Sequence, residues 1–147
     1  QEEYKELVTK MLKESELIIA QQFTPSDYDW RIGVLDGKAF YACRYYMAKG
    51  HWQIYNWSAK KKDDQGGNAD AMALEKVPEK VLDLALRSAK LMGDGLYGID
   101  VKQINGEALV IEINDNPNID FGVEDAFYGE EVYKSIITAL KNRLEKK

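Results

Sequence analysis

Hydrophobic positions along the chain recur in two periods, and the switches between them set out its elements. In residues 2–15 (EEYKELVTKMLKES), Leu7, Met11 and Leu12 fall at helical spacing with Tyr4 and Val8 beside them, and the acidic first turn suits the helix dipole. The run ELIIAQQF that follows is short and apolar, which predicts a buried strand ending near Phe23. After a loop carrying Pro25 and Ser26, two β-rich runs at 29–35 and 38–46 flank Asp36-Gly37, the pair that supplies positive φ to a type I′ hairpin turn. Residues 58–76 mix charges around Gly66-Gly67 with little apolar pattern and read as a mobile loop. Pro78 then opens a helix whose apolar face is Val81, Leu82, Ala85, Ala89 and Met92, ending at Gly93. A second hairpin, 96–104 with 108–113, turns at Asn105-Gly106, and a closing amphipathic helix covers 129–145 through Val132, Ile136, Ile137, Leu140 and Leu144. The order α-β-β-β-α-β-β-α with two hairpins predicts an α+β domain with a largely antiparallel sheet, not a doubly wound parallel one.

Length and composition narrow this further. A chain of 147 residues, 45% hydrophobic and 31% charged, is one foldable domain with an ordinary soluble surface. A net charge of −5 argues against non-specific binding to nucleic acid or to an anionic membrane, and no apolar run approaches the roughly 20 residues a spanning helix needs. The single cysteine, Cys43, cannot close an intrachain disulfide, which favours a reducing, cytoplasmic setting. The chain starts at Gln1 with no signal-peptide pattern behind it, which is the expectation for a fragment of a longer protein.

Two constellations could carry chemistry. Paired straight across a two-residue turn, the first hairpin sets Arg31 opposite Ala42 and Asp29 opposite Arg44, so that Asp29, Arg31 and Arg44 share one face. The other face then takes Trp30, Ile32, Val34, Ala39, Tyr41, Cys43 and Tyr45 as core. Two arginines beside an aspartate would suit an anion such as phosphate; an ordinary solvated Asp–Arg pair is the plainer alternative. In the second hairpin, a three-residue loop at Asn105-Gly106-Glu107 keeps Ile99, Val101, Leu109, Ile111 and Ile113 on one face, and that register sets Asp100 opposite Glu112, Gly98 opposite Asn114 and Lys102 opposite Val110. Like charges directly opposed are destabilising. A hard cation held by two carboxylates and an amide, Mg²⁺ or Mn²⁺, resolves the conflict, as would neutralisation of Glu112 by Lys102 or a nearby arginine. The stretch NDNPNID lacks the Gly and the closing Glu of a calcium loop.

These residues resemble the C-terminal part of the ATP-grasp fold, and most closely the RimK-like carboxylate–amine ligases related to the alpha-L-glutamate ligase RimK. The resemblance spans about residues 17–145 and is carried by QQFTPSDYDWR, CRYYMAKGHWQIYN, GLYGIDVK and VIEINDNPNID. It implies that Asp100, Glu112 and Asn114 hold the magnesium ions bridging the ATP phosphates. It also implies that Gln22 and Phe23 meet adenine, that Asp29 approaches the ribose, that Arg31 and Arg44 bind phosphate or acyl-phosphate oxygens, and that Asn56 contacts the γ-phosphate region. The family often carries Arg two residues before that Asn, where this chain has Ile54, and Gln22 replaces its hinge Glu. The chemistry implied is ATP-dependent activation of an amino-acid, peptide or protein carboxylate as an acyl phosphate, followed by amine attack to form an amide. A catalytically silent ATP-grasp-like nucleotide-binding or regulatory module is the alternative. By the same resemblance residues 1–16 are the last helix of a preceding subdomain, the lysines and glycine-rich loop that cover the nucleotide lie elsewhere in the polypeptide, and the isolated piece is inactive. His51 beside Trp52 reads as a packed residue despite its place in the HWQ signature, and Cys43 as a small buried hydrophobe. Tyr45, Tyr46, Trp52, Tyr55 and Trp57 read as packing, because Lys60-Lys61-Lys62 is offset at once by Asp63-Asp64 and forms no basic stripe.

Overall fold

The computed structural model describes residues 1–61 and 65–145. Its elements run α1 (Glu2–Met11), β1 (Tyr28–Leu35), β2 (Lys38–Tyr46), β3 (Ala69–Met72), α2 (Glu79–Met92), β4 (Leu96–Ile104), β5 (Glu107–Asn114) and α3 (Glu130–Glu145). The strands form one antiparallel sheet in the order β3-β2-β1-β4-β5, so the two hairpins lie side by side with β1 against β4 at the centre. This is the expected α+β architecture. The element string is also as read, but one member differs: the third strand is Ala69–Met72, inside the stretch read as a loop. Residues 17–23 form no strand, and Leu17 and Ile19 are about four-fifths exposed. The run pairs with neither edge of the sheet, β3 or β5, among the described residues, and backbone without a partner does not form a strand. Of the Lys60–Asp64 charge cluster, residues 62–64 lie outside the described residues.

Both turns have the backbone their sequences call for. Asp36 and Gly37 sit at φ 49° and 73°, Asn105 and Gly106 at φ 52° and 79°, the paired positive φ values of type I′. Beyond each turn lies a bulge, and the two bulges decide which side chains share a face. In β2 the extra residue falls at Phe40, so Val34 pairs with Ala39 but Gly33 pairs with Tyr41. Gly33 is needed there, since a Cβ would lie 2.2 Å from the Tyr41 ring. In β5 the extra residue is Ile111, between Val110 (opposite Val101) and Glu112 (opposite Asp100).

One sheet face carries Trp30, Ile32, Val34, Ala42, Ile99 and Val101, buried under Val81, Ala85 and Ala89 of α2. Those helix positions recur every four residues, Pro78 precedes the first turn, and Gly93 at φ 120° ends it. The other face is half covered: Tyr41 and Cys43 pack against Val132 of α3, with Ile119, Tyr128 and Ile136 around them. The single-core expectation for the first hairpin is therefore corrected. Tyr41, Cys43 and Tyr45 lie on the face opposite Trp30 and Ile32, because the Phe40 bulge shifts the register by one beyond Gly33. Helix α1 buries no residue, and no helix of the described residues is long and apolar enough to cross a membrane.

Candidate functional site

The uncovered part of the second face carries the candidate chemistry. Asp29 and Arg31 on β1, Gly98, Asp100 and Lys102 on β4, and Glu112 and Asn114 on β5 all point to it by strand alternation. Arg31 is paired with Asp100, Asp100 with Glu112, and Gly98 with Asn114. The expected opposition of Asp100 and Glu112 is thus present, but its cause is corrected. The turn has two residues, the Ile111 bulge supplies the shift, and Lys102 faces Leu109 instead of Val110. Gly98 leaves the space through which the arginine crosses the strand: a Cβ there would lie 3.1 Å from Arg31 Cδ and 2.8 Å from Pro117 Cβ.

Arg31 donates to both oxygens of Asp100, from Nε to Oδ1 and from Nη2 to Oδ2 at 2.9 Å. Both side chains are more than four-fifths buried. Burial pushes the Asp100 carboxyl above its ordinary range, against the hydrogen bonds and charge of Arg31, which pull it down. On Arg31 burial works to lower the pKa and is outweighed by Asp100. Asn114 Nδ2 stands 3.5 Å from Asp100 Oδ2 and 3.4 Å from the Gly98 carbonyl. Glu112 is exposed and has no ion pair among the described residues. Lys102, one candidate to neutralise it, instead donates to Asp29 Oδ1 at 2.6 Å and to Ser26 Oγ at 2.5 Å. The nearby arginine serves Asp100, and Glu112 is left over.

The donor set fits a hard divalent cation. Asp100 and Glu112 face each other, only one of them is compensated, and Asn114 adds an amide beside Asp100. Among the described residues no three of His, Cys, Asp and Glu gather, so a third protein ligand at this place would have to be the Asn114 amide.

Arg44 is elsewhere. It pairs with Trp30, not Asp29, and lies on the α2 face, chelating Asp70 at 3.0 and 2.5 Å beneath Tyr28, Trp30 and Tyr46. The shared face of Asp29, Arg31 and Arg44 is therefore corrected to Asp29 and Arg31, with the Phe40 bulge as the reason. Asp29 is largely buried, and its Oδ1 is taken by Lys102 and Ser26.

The residues implied for nucleotide contact lie on loops. Phe23 is 61% exposed and meets Trp52 edge to face at 5.9 Å. Together with Pro25, Ser26, Gly50 and His51 they line a cleft of about 370 Å³, which Ser26 joins to the polar face through Lys102. Gln22 is exposed, and its carbonyl accepts from Thr24. Asn56 Oδ1 accepts from the Ser58 N–H at 3.2 Å; no hydrogen bond joins Gln22 or Asn56 to the Asp100 group among the described residues.

Sequence reasoning missed Glu124. This residue, just beyond the NDNPNID stretch, is fully buried, accepts the Tyr45 hydroxyl on Oε1 and accepts the Asp120 N–H on Oε2 at 2.7 Å. The one available signal was its place in the apolar run FGVEDAF.

Solved proteins share this arrangement of strands. The D-alanine–D-alanine ligase of Bacillus anthracis superposes with a TM-score of 0.61 at 17% identity, over the whole chain and 50% of its own length. The ATP-grasp ligase PsnB, complexed with a phosphomimetic variant of its minimal precursor, Mg and ADP, gives a TM-score of 0.54 at 20% identity over 80% of this chain and 35% of its own. At such identities the likeness is one of fold. Among curated proteins, the probable alpha-L-glutamate ligase of Syntrophotalea carbinolica is 32% identical over 130 residues, 87% of this chain. The chain is similar in sequence to RimK-like alpha-L-glutamate ligases and in fold to ATP-grasp ligases. The probable alpha-L-glutamate ligase 1 of Shewanella amazonensis is 35% identical over 83 residues, 56% of this chain. The chain spans 38% and 26% of the length of those two relatives, and the match falls in their C-terminal part. No family model matches the chain.

Proposed function

We propose that this chain is the metal- and nucleotide-binding C-terminal part of an ATP-dependent carboxylate–amine ligase of the glutamate-joining type. The observation that carries the proposal is the pairing of Asp100 with Glu112 on a half-open sheet face, with Asn114 beside them and a buried arginine on one carboxylate only. Asp100, Glu112 and Asn114 would hold Mg²⁺, or Mn²⁺ in its place. The ion would neutralise phosphate charge as the γ-phosphoryl group moves.

The rest falls to the side chains. Arg31, always charged, would bind an oxygen of the transferred phosphoryl group or of the acyl phosphate. Lys102 and Ser26 hold Asp29, Ser26 also lines the Phe23–Trp52 cleft, and adenine and ribose would lie in that cleft with Gln22 and Phe23 at its edge. The γ-phosphoryl group passes from ATP to a carboxylate oxygen, leaving ADP. The amine then attacks the acyl carbon, phosphate departs, and the amine loses its proton to give the amide. Catalysis of this kind is positioning and charge neutralisation, which these groups supply. The carboxylate would come from an amino acid, a peptide or a protein.

In this reading residues 1–147 are a single unit, residues 1–16 are the end of a preceding subdomain, and the covering lysines belong to another part of the same polypeptide. The chain alone would turn over little ATP. The buried Cys43 suits a reducing, cytoplasmic setting. The test is ADP release and amide formation by the full-length protein with glutamate and a panel of amines. Both are expected to vanish in Glu112→Gln, and ATP-dependent ligation retained by that variant would sink the proposal.

One observation favours a second reading, a catalytically silent nucleotide-binding module. Arg44 is turned to the other face and Ile54 stands where the family often has an arginine, so Arg31 alone serves phosphate on this face. Full-length protein that binds ATP yet releases no ADP with any amine would select it.

A further inference from the structure

The buried Glu124 lies outside the proposed reaction, yet it connects to it. Its carboxylate accepts the hydroxyl of Tyr45 on one oxygen and a backbone N–H of its own loop, at Asp120, on the other. Tyr45 stands on β2 beside Arg31, and the Arg31 guanidinium lies over the Tyr45 ring, 5.4 Å from its centroid. Arg31 therefore has two supports on opposite sides: Asp100 by two hydrogen bonds, and the aromatic face of Tyr45. The first support is one that a bound cation would compete for, because Asp100 is also a proposed metal ligand. The second involves no metal ligand.

We infer that Tyr45 and Glu124 are positioning residues for Arg31, holding its guanidinium on the site face independently of Asp100. The inference rests on the reading of Arg31 as the phosphate-binding cation. Glu124 fixes the tilt of the Tyr45 ring through the hydroxyl, and the ring faces the planar guanidinium. Asp120 and Val123 anchor the loop in turn: the Asp120 N–H donates to Glu124, and the Val123 carbonyl accepts from the buried Cys43 thiol at 3.8 Å. The same loop begins directly after Asn114, the third proposed metal ligand, so one segment follows the proposed metal site and sets the arginine. Arg44 gives a built-in comparison, since it is bidentate to Asp70 on the opposite face, and among the described residues its guanidinium neither stacks on the Tyr45 ring nor hydrogen-bonds Glu124.

The experiment follows the Nε–H of the chain's four arginines, Arg31, Arg44, Arg87 and Arg143, by ¹⁵N hydrogen-exchange NMR on the 147-residue chain without nucleotide or metal. Tyr45→Phe keeps the ring and removes only the hydroxyl. Exchange at Arg31 Nε is expected to rise at least tenfold, while Arg44 Nε and the backbone amides of β1 and β2 stay within twofold. Glu124→Gln, the second variant, is expected to do the same to a smaller degree. A role confined to general stability would move Arg44 and the backbone amides together with Arg31, and that result would overturn the inference, as would an Arg31 rate unchanged in both variants. The measurement needs no ligation, so it can fail while the Glu112→Gln test succeeds, and the reverse.

Discussion

Arg31 grips Asp100 through both carboxylate oxygens, while Glu112, paired with Asp100 on the neighbouring strand, has no cationic partner among the described residues. The half-compensated carboxylate pair has consequences for stability, metal binding and reactivity.

Removing the arginine leaves Asp100 as a buried charge without its partner. Breaking a buried pair of this kind costs about 3 kcal/mol, so Arg31→Gln is expected to lower unfolding stability by that order in urea titrations. Millimolar Mg²⁺ should restore more stability to the variant than to the parent, since the ion replaces the missing charge. Equal stabilisation of both would show that Asp100 is not a ligand.

Arg44 should behave differently although it carries the same charge. Its pair with Asp70 is partly exposed, so Arg44→Ala is expected to cost no more than about 1 kcal/mol. Its position on the α2 face predicts Mn²⁺ affinity within twofold of the parent. A tenfold loss of affinity would place Arg44 at the metal site after all.

Gly33 and Tyr41 form the contact that fixes the first bulge. A methyl group at Gly33 would collide with a fully buried ring. Gly33→Ala is therefore expected to destabilise the fold by about 2–3 kcal/mol, read as a lower urea midpoint with an unchanged slope.

Burial pushes the Cys43 thiol up to about 12. The unfolded thiol ionises near its ordinary value of 9.0, so between the two the unfolded chain has given up a proton that the folded chain keeps. Stability accordingly falls as pH rises through that window, and Cys43→Ala should flatten part of the fall. At pH 8 the thiol should react with iodoacetamide only at the rate of unfolding. Rapid labelling of the folded chain would show that the Tyr41–Val132 cluster does not cover it.

The sequence made the site legible where a long-range constraint coincided with a local pattern. Asp100 opposite Glu112 is reached by keeping Ile99, Val101, Leu109, Ile111 and Ile113 on one face. Ile99, Val101 and Ile113 do share it, but Leu109 pairs with Lys102, Val110 takes its place opposite Val101, and Ile111 is the bulge. A bulge at Ile111 achieves this with the two-residue turn intact, and an extended loop would have achieved the same. The Phe40 bulge has no such signature. It comes from the fit of Tyr41 over Gly33, a contact between strands that alternation along either strand does not encode, and it sends Arg44 to the far face. The apolar run at 17–23 has strand composition, but composition does not encode a partner strand, and the run pairs with neither edge of the sheet among the described residues. Glu124 escaped notice because its partner, Tyr45, is 79 positions away.

The most direct test of the account is a Mn²⁺ titration followed by electron paramagnetic resonance, comparing the parent chain with Glu112→Gln. Glu112 is exposed and unpaired among the described residues, so the substitution should leave the fold within about 0.5 kcal/mol. The account predicts one class of site in the parent and at least a tenfold weaker affinity in the variant. Equal affinity in the two proteins would contradict it.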